Sequence, residues 1–435
     1  MDFASPDDLT RQVIERWETF AARADAPPPL PAPNDLRRIL ATAFFASLER
    51  EEGRPLRFVL CCAPDVAVLR DGFGEQVPVV PLAAPRPLGV ESIRSLAPAV
   101  SPSNAALLIR FPHDTSAGGQ CEIAGVLHVG ENVARARGGR AFYYRPAPYA
   151  LMVEVLDAGE VHVYQGGARI ASLEAGHLHD LLAFSALEFL PISPILDAGE
   201  SRLRSRLVAP EHEAPRETSD FQWTALLNTV LCIVNGVRAS GHGGTVLLTG
   251  PGGEDALPVR SKFPVGQESV LGERFIEFLN TRHVLAEARW QQKQTGSPGA
   301  DAALSHLQNA AFAAEEDLVD AAAVVAGLTA VDGALVLTSD LRVPGFGAEI
   351  VLDATRPVVA HEVIGHQLSS ESWPIVDGES FGMRHRSALR CIGATEQTAA
   401  FVVSQDGQVT LFWKHDGRVL LKRNVNTANP NMVGG

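Results

Sequence analysis

The chain has 435 residues, 46% hydrophobic and 20% charged, with a net charge of −14. That length exceeds one ordinary core and asks for two or three units, while the composition excludes a fibrous repeat or a disordered chain. The acidic balance opposes nonspecific attraction to nucleic acid or to an anionic membrane, so a nucleotide ligand would need a local basic cluster.

The start, Met1-Asp2-Phe3-Ala4-Ser5-Pro6-Asp7-Asp8, is acidic where a secretory signal is basic. No run reaches the roughly 18 apolar residues of a membrane span. A cytoplasmic protein with no membrane and no nucleic-acid partner is expected. The five cysteines, Cys61, Cys62, Cys121, Cys232 and Cys391, lack CxxC spacing, which argues against a zinc ribbon or disulfide framework and for reduced, buried thiols.

In chain order, Leu9, Val13, Ile14, Trp17 and Phe20 fall at helical spacing, with Ser5 or Asp7 as cap. The proline run Pro27 to Pro33 ends that segment, and Asn34 or Asp35 is expected to cap a second helix carrying Leu36, Ile39, Leu40, Phe44 and Leu48. Short strands follow at Phe58 to Leu60, Ala106 to Phe111, Ile123 to Val129, Ala150 to Leu156, Val161 to Tyr164 and Arg169 to Leu173, parted by Gly118-Gly119, Gly138-Gly139 and Gly166-Gly167. The polar stretch from Asp197 to Asp220 reads as a connection that can be part helical, with the domain boundary inside it. The organisation predicted is N-terminal helices over 1–50, a β-rich α/β domain over 51–196, a linker over 197–220 and a further domain over 221–435.

That last domain opens with a helix from Phe221 to Arg238 and the apolar strand Thr245 to Thr249. Helices are predicted from Glu273 to Arg289 and from Ala300 to Gly327. Strands then lead to a short helix and to three further strands, Ala400 to Ser404, Gln408 to Trp413 and Val419 to Lys422, with Asp406-Gly407 and Asp416-Gly417 as hairpin turns. Helices interleaved with such strands predict an α/β (α+β) fold, a mixed central sheet flanked by helices.

Two motifs carry chemistry. Asp332-Gly333-Ala334 stands where a helix gives way to a strand, placing a carboxylate that can reach a metal or sugar hydroxyl beside residues small enough for a flat ring to approach. Arg384-His385-Arg386 follows Gly382 and opens a helix, where guanidiniums and free N–H groups suit an anion such as a triphosphate.

The pair resembles the diadenylate cyclase domain found in DNA-integrity scanning proteins and membrane-bound cyclases, which carries a DGA motif opening a strand and a GTRHRAA motif opening a helix. The segments Val331 to Ala334 and Gly382 to Ala388 are similar to these, Thr395-Glu396 and Phe401 to Gln405 echo the family's Ser-Glu steps, and the likeness covers about half the chain. The resemblance implies that two ATP molecules, each on one copy of the domain, condense to cyclic di-AMP and pyrophosphate, which requires at least a transient homodimer. It implies that Asp332 binds Mg²⁺ or Mn²⁺, assisted by Glu396. Arg384, His385 and Arg386 would hold phosphates, and Gly333, Ala334, Ser387, Thr395 and Glu396 would line the substrate site.

Met383 replaces the family's threonine, Val331 its usual histidine, and Val343 to Phe381 is longer than in ordinary cyclases. These departures bear on turnover more than on binding. Ser95 to Val100 and Gly345 to Glu349 look like divergent, cyclase-related families proposed as sensors in bacterial signalling. The second reading is therefore a noncatalytic sensor that binds ATP or a cyclic dinucleotide and signals to a protein effector.

Other motifs compete. Gly378-Glu379-Ser380-Phe381-Gly382 matches a nucleophile elbow, with His242-Gly243-Gly244, Asp406 and His415 as helpers, but the short remainder reads as hairpins; a serine hydrolase is the remote alternative. The histidines of His361-Glu362-Val363-Ile364-Gly365-His366 are five apart, not the four of a zincin helix. Gly250-Pro251-Gly252-Gly253 lacks the Lys-Ser/Thr of a phosphate loop, and His177 with His179 reads as a turn rather than a metal pair.

Overall fold

The computed structural model describes residues 3–21, 29–51, 53–69, 77–100, 104–112, 120–129, 150–165, 168–174, 176–179, 191–207, 217–266, 270–295, 300–352, 359–363, 373–405, 407–425 and 427. The expected turns at Gly118-Gly119, Gly138-Gly139 and Gly166-Gly167 lie outside them. The described residues form two compact units, one up to residue 179 and one from residue 191.

The first unit begins with helices α1 (Pro6–Ala21) and α2 (Pro33–Ser47). Ser5 caps α1: its Oγ accepts from Asp8 N at 3.4 Å while Asp8 Oδ2 accepts from Ser5 N at 2.9 Å, a reciprocal box. Helix α2 corrects the sequence reading, because Pro33 takes the first helical position and leaves Asn34 and Asp35 inside the first turn.

A two-residue hairpin follows, β1 (Arg50–Glu51) and β2 (Arg54–Pro55). Then come β3 (Phe58–Ala63), β4 (Val79–Pro87), helix α3 (Val90–Leu96), β5 (Ala105–Arg110), β6 (Glu122–His128), β7 (Leu151–Asp157), β8 (Glu160–Gln165), β9 (Ala168–Glu174) and β10 (His177–His179). The strands from β3 onward make one sheet of order β10-β9-β8-β7-β3-β5-β6-β4, with β3 and β5 parallel and the other neighbours antiparallel. The two long helices pack on one face: Leu9, Val13, Leu36, Ile39 and Leu40 share a core with Val153, Val155, Val161 and Val163. They are therefore part of this unit and not a separate segment before it. Strand β4 escapes a sequence reading because it carries Pro81, Pro85 and Pro87; it sits at the sheet edge, where prolines remove no ladder bond that matters.

The second unit opens with α4 (Ser193–Arg204), so the stretch expected as a part-helical connection is helical at 197–204 and again from 217. Next are α5 (Glu217–Ser240), β11 (Gly244–Thr249), β12 (Val259–Pro264), α6 (Val270–Thr295), α7 (Ala300–Gly327), β13 (Ala334–Thr338), β14 (Gly345–Ile350), β15 (Val359–Glu362), β16 (Ile375–Asp377), α8 (Met383–Ala394), β17 (Thr398–Val403), β18 (Val409–His415) and β19 (Arg418–Lys422). Their nine-stranded sheet runs β12-β14-β13-β11-β17-β18-β19-β15-β16. Its central strands β11, β13 and β17 are buried at every position, which explains why they read as unbroken apolar runs without alternation.

Helix α8 covers one face, with Ala388, Leu389, Cys391 and Ile392 against Leu247, Val336, Ala400, Val402 and Phe412. The other face meets α5, where Gly244 abuts Val237. The architecture is thus mixed α/β of the α+β type, as expected. Asp416 (φ 48°) and Gly417 (φ 72°) make the predicted tight turn between β18 and β19, both in left-handed conformation. All five cysteines are buried and none is in a disulfide. No helix among the described residues is long and apolar enough to cross a membrane.

Candidate functional site

Strands β11 and β13 run parallel with Thr245 opposite Ala334, so their entering ends share one edge of the sheet. Strand β17 runs antiparallel and brings its last residue, Val403, opposite Gly244 at that same edge. Gly243 and Asp332 lead into these two neighbouring strands at that edge. Gly243 has φ +64°, and a β-carbon there would lie 2.6 Å from Val403 O and 3.2 Å from Arg384 Nη1. The guanidinium of the second motif therefore lies over the start of β11, the strand next to the one that Asp332 precedes.

Asp332 and Arg384 are both exposed. The carbonyl of Asp332 accepts from Lys262 Nζ at 3.3 Å, and the same ammonium lies 3.3 Å from Glu349 Oε1. Hydrogen bonds from Arg260 and Lys262 hold the Glu349 carboxyl below its usual range. Arg260 and Lys262 alternate along β12, a period-two pattern that could have flagged them in the sequence.

The other residues of the motifs have structural occupations. Gly333 has φ +124°, and a β-carbon there would stand 2.4 Å from the carbonyl carbon of Gly347, so its smallness serves the close approach of the β14 backbone. Ala334 is 3% exposed, within the core under α8. His385 stacks on Phe381 at 5.6 Å and 12°, meets Phe412 edge-on, and brings Nε2 to 3.3 Å from Thr410 Oγ1. Arg386 pairs with Glu379 at 3.2 Å, which also binds Arg390 at 2.7 Å. Ser387 is half-buried in the first turns of α8. The three adjacent side chains thus diverge: Arg384 toward β11, His385 toward β18, Arg386 toward Glu379.

Thr395 and Glu396 lie at the far end of α8, a helix of 12 residues spanning about 18 Å. Thr395 Oγ1 donates to Cys391 O at 2.9 Å, capping the helix, and Glu396 pairs with Lys414. Both line a small cavity of about 90 Å³ with Thr249, Gly250 and Pro251, at the exit end of β11. Asp332 stands at the entering end, so the expected metal pair Asp332 and Glu396 is not brought together. A larger cavity, of about 420 Å³, lies along α6 and α7 between Glu273 and Leu307, also away from both motifs.

The competing motifs are accounted for. Ser380 lies in a 3₁₀ turn and donates to Asp377 O at 2.7 Å; its sequence neighbour Glu379, which the elbow pattern concealed, is the residue that matters to α8. His361 and Glu362 lie on strand β15, not a helix, while His366 and Asp406 fall outside the described residues. Gly250 to Gly253 is the turn expected. His177 is exposed on β10, its ring 6.1 Å from that of Phe3.

Among the described residues, this edge offers the exposed carboxylate of Asp332 with Lys262 beside it, the Arg384 guanidinium and the N-terminus of α8, where Gly382 supplies no side-chain hydrogen bond. Such a set can hold an anion on its basic side and a cation bridging that anion to the carboxylate. Residues 25–128 match a family described as a probable sensor domain, DACNV. That match ends with β6 in the first unit and does not reach either motif. Comparison with curated proteins gives no match.

Proposed function

We propose that this protein is a cytoplasmic, nucleotide-binding sensor of bacterial second-messenger signalling, whose second unit binds ATP or a cyclic dinucleotide at the edge formed by Asp332, Gly243 and Arg384. The observation that carries the reading is the placement of Arg384 at Gly243, which leads into the strand next to the one that Asp332 precedes. The likeness of residues 25–128 to a probable sensor domain and the resemblance of the second half to diadenylate cyclases support it from opposite ends of the chain.

In this reading phosphate oxygens meet Arg384 and the N–H groups opening α8, where the helix dipole and guanidinium act together. Mg²⁺ or Mn²⁺ fits only with the nucleotide present, because Asp332 is one carboxylate and such ions take most of their remaining ligands from phosphate and water. Binding outweighs turnover here. Cyclisation needs several groups fixed on the reacting phosphate, whereas His385 packs on Phe381, Arg386 is held by Glu379 and Glu396 lies at the other end of α8.

The exposed Asp332 keeps the cyclase reading as the second possibility, and that chemistry would require two copies facing each other. Calorimetry with ATP and with cyclic di-AMP, in Mg²⁺ and in Mn²⁺, tests binding; mass spectrometry of the same mixtures tests turnover. Saturable binding without product supports the sensor. Cyclic di-AMP with pyrophosphate, lost in Asp332→Ala, would establish the cyclase instead, and no binding of either nucleotide would refute both.

A further inference from the structure

The first unit buries a polar cluster on the sheet face opposite its helices. The register places Glu154 on β7, His162 on β8 and Ser172 on β9 in one cross-strand row. Glu160 and Glu174 stand one row further, on the same face by alternation. That face is otherwise lined by Val59, Cys61 and Met152. His162 is 3% exposed and Ser172 0%, positions where an unsatisfied polar group costs about 1–3 kcal/mol.

His162 Nε2 lies 3.2 Å from Glu160 Oε1 and 2.9 Å from Glu174 Oε1. Both carboxylates stand within hydrogen-bonding distance of this one nitrogen, and neither oxygen meets the strict N–H angle, so the two share it from either side. Two carboxylate oxygens beside the nitrogen's axis, and not on it, is the arrangement of ligands around a common point. Around an ion bound at 2.0–2.1 Å, tetrahedral ligands stand about 3.3 Å apart, close to the spacing already present. All three ligand atoms lie within 4.8 Å of one another. Ser172 Oγ, wholly buried and with no hydrogen-bond partner among the described residues, stands in the adjacent register position.

We infer that Glu160, His162 and Glu174 form a divalent transition-metal site of the zinc class, with three protein ligands and a fourth position open to water. Imidazole with carboxylates suits this class. The outer groups fit as well: Tyr164 Oη lies 3.5 Å from His162 Nδ1 and donates to Glu154 Oε2 at 2.8 Å, so the ring's second nitrogen is backed by a carboxylate through a phenol. Arg169 Nη1, 3.5 Å from His162 Nδ1 and 3.6 Å from Glu174 Oε1, opposes a second cation. Its charge lowers the affinity of the site for the ion.

The test is zinc and cobalt titration of the full chain, stripped with chelator, by calorimetry and by cobalt absorption. One Zn²⁺ per chain is expected, with Mg²⁺ failing to compete because it prefers an octahedral oxygen shell. Glu160→Gln and Glu174→Gln should each weaken Zn²⁺ at least about tenfold and Tyr164→Phe by a smaller factor, with circular dichroism unchanged. Glu160→Gln is the safest variant, since Glu160 is 26% exposed and His162 replacements disturb the interior. No Zn²⁺ or Co²⁺ uptake, or uptake undiminished in the double glutamine variant, would overturn the assignment. Nucleotide binding by the second unit plays no part in either outcome.

Discussion

If Arg384 alone of the basic triplet faces the nucleotide edge, replacing each arginine by alanine should give unequal losses. Arg384 is exposed and lies over Gly243, so its removal leaves the fold within about 0.5 kcal/mol of the parent. It also deletes a charge-assisted contact to phosphate, which contributes about 1.5–3 kcal/mol. The dissociation constant for Mg²⁺–ATP or cyclic di-AMP should therefore rise about 10- to 150-fold. Arg386 is half-exposed and already paired with Glu379, which keeps Arg390 when Arg386 is lost. An exposed pair of this kind is worth about 0–1 kcal/mol to the fold, and its loss should change affinity less than about threefold. Calorimetry at two salt concentrations reads both variants, the Arg384 contribution shrinking at the higher salt. An Arg386→Ala loss equal to or above that of Arg384→Ala would refute the geometry on which the site is built.

Glu396→Gln should leave nucleotide affinity and metal dependence unchanged in the same titrations, because Glu396 sits with Lys414 at the exit end of β11; a tenfold loss would return it to the site. Gly333→Ala should lower the urea midpoint by the equivalent of about 2–4 kcal/mol, the left-handed strain adding to overlap with Gly347, with the slope of the transition unchanged. Burial pushes the thiols of Cys121 and Cys391 up to about 12, from 9.0 in the open chain. The unfolded thiols ionise first, so stability is full below pH 9 and falls toward pH 12, by up to about 1.4 kcal/mol per pH unit for each thiol. Denaturation curves across that window should show the fall, and Cys391→Ala, compared with its own value at pH 8, should show a smaller one.

Much of the fold was legible because its strands and helices obey simple periods. The buried β3, β5 and β7 stand out as apolar runs, and α7 as an alanine-rich helix of 28 residues. What escaped was local chemistry overruled by position. Pro81, Pro85 and Pro87 argue against a strand, and only the sheet edge makes β4 possible. The charges of Glu200 and Arg202 suggest a connection with some helix in it, and what they hide is the buried stripe of α4, Ile195, Leu196, Gly199 and Leu203. The polar cluster around His162 was invisible for the opposite reason: a histidine between valines reads as ordinary alternation until the register sets Glu154 and Ser172 on either side of it.

The motifs pose a different problem, since letters adjacent in sequence need not act together in space. Successive residues of an α-helix project about 100° apart, so Arg384, His385 and Arg386 sweep through more than half a turn and cannot all converge from one helix on one phosphate. The surroundings then decide each fate: a glycine at the start of β11 leaves room for Arg384, an aromatic pair receives His385, and Glu379 takes Arg386. Read as a block, the triplet promises three phosphate ligands; read on its helix, it exposes one cation and supplies two braces that fix the helix end presenting it. That division favours the proposed binding over cyclisation, because one guanidinium with a helix N-terminus suffices to hold an anion, whereas cyclisation asks for the whole block at once.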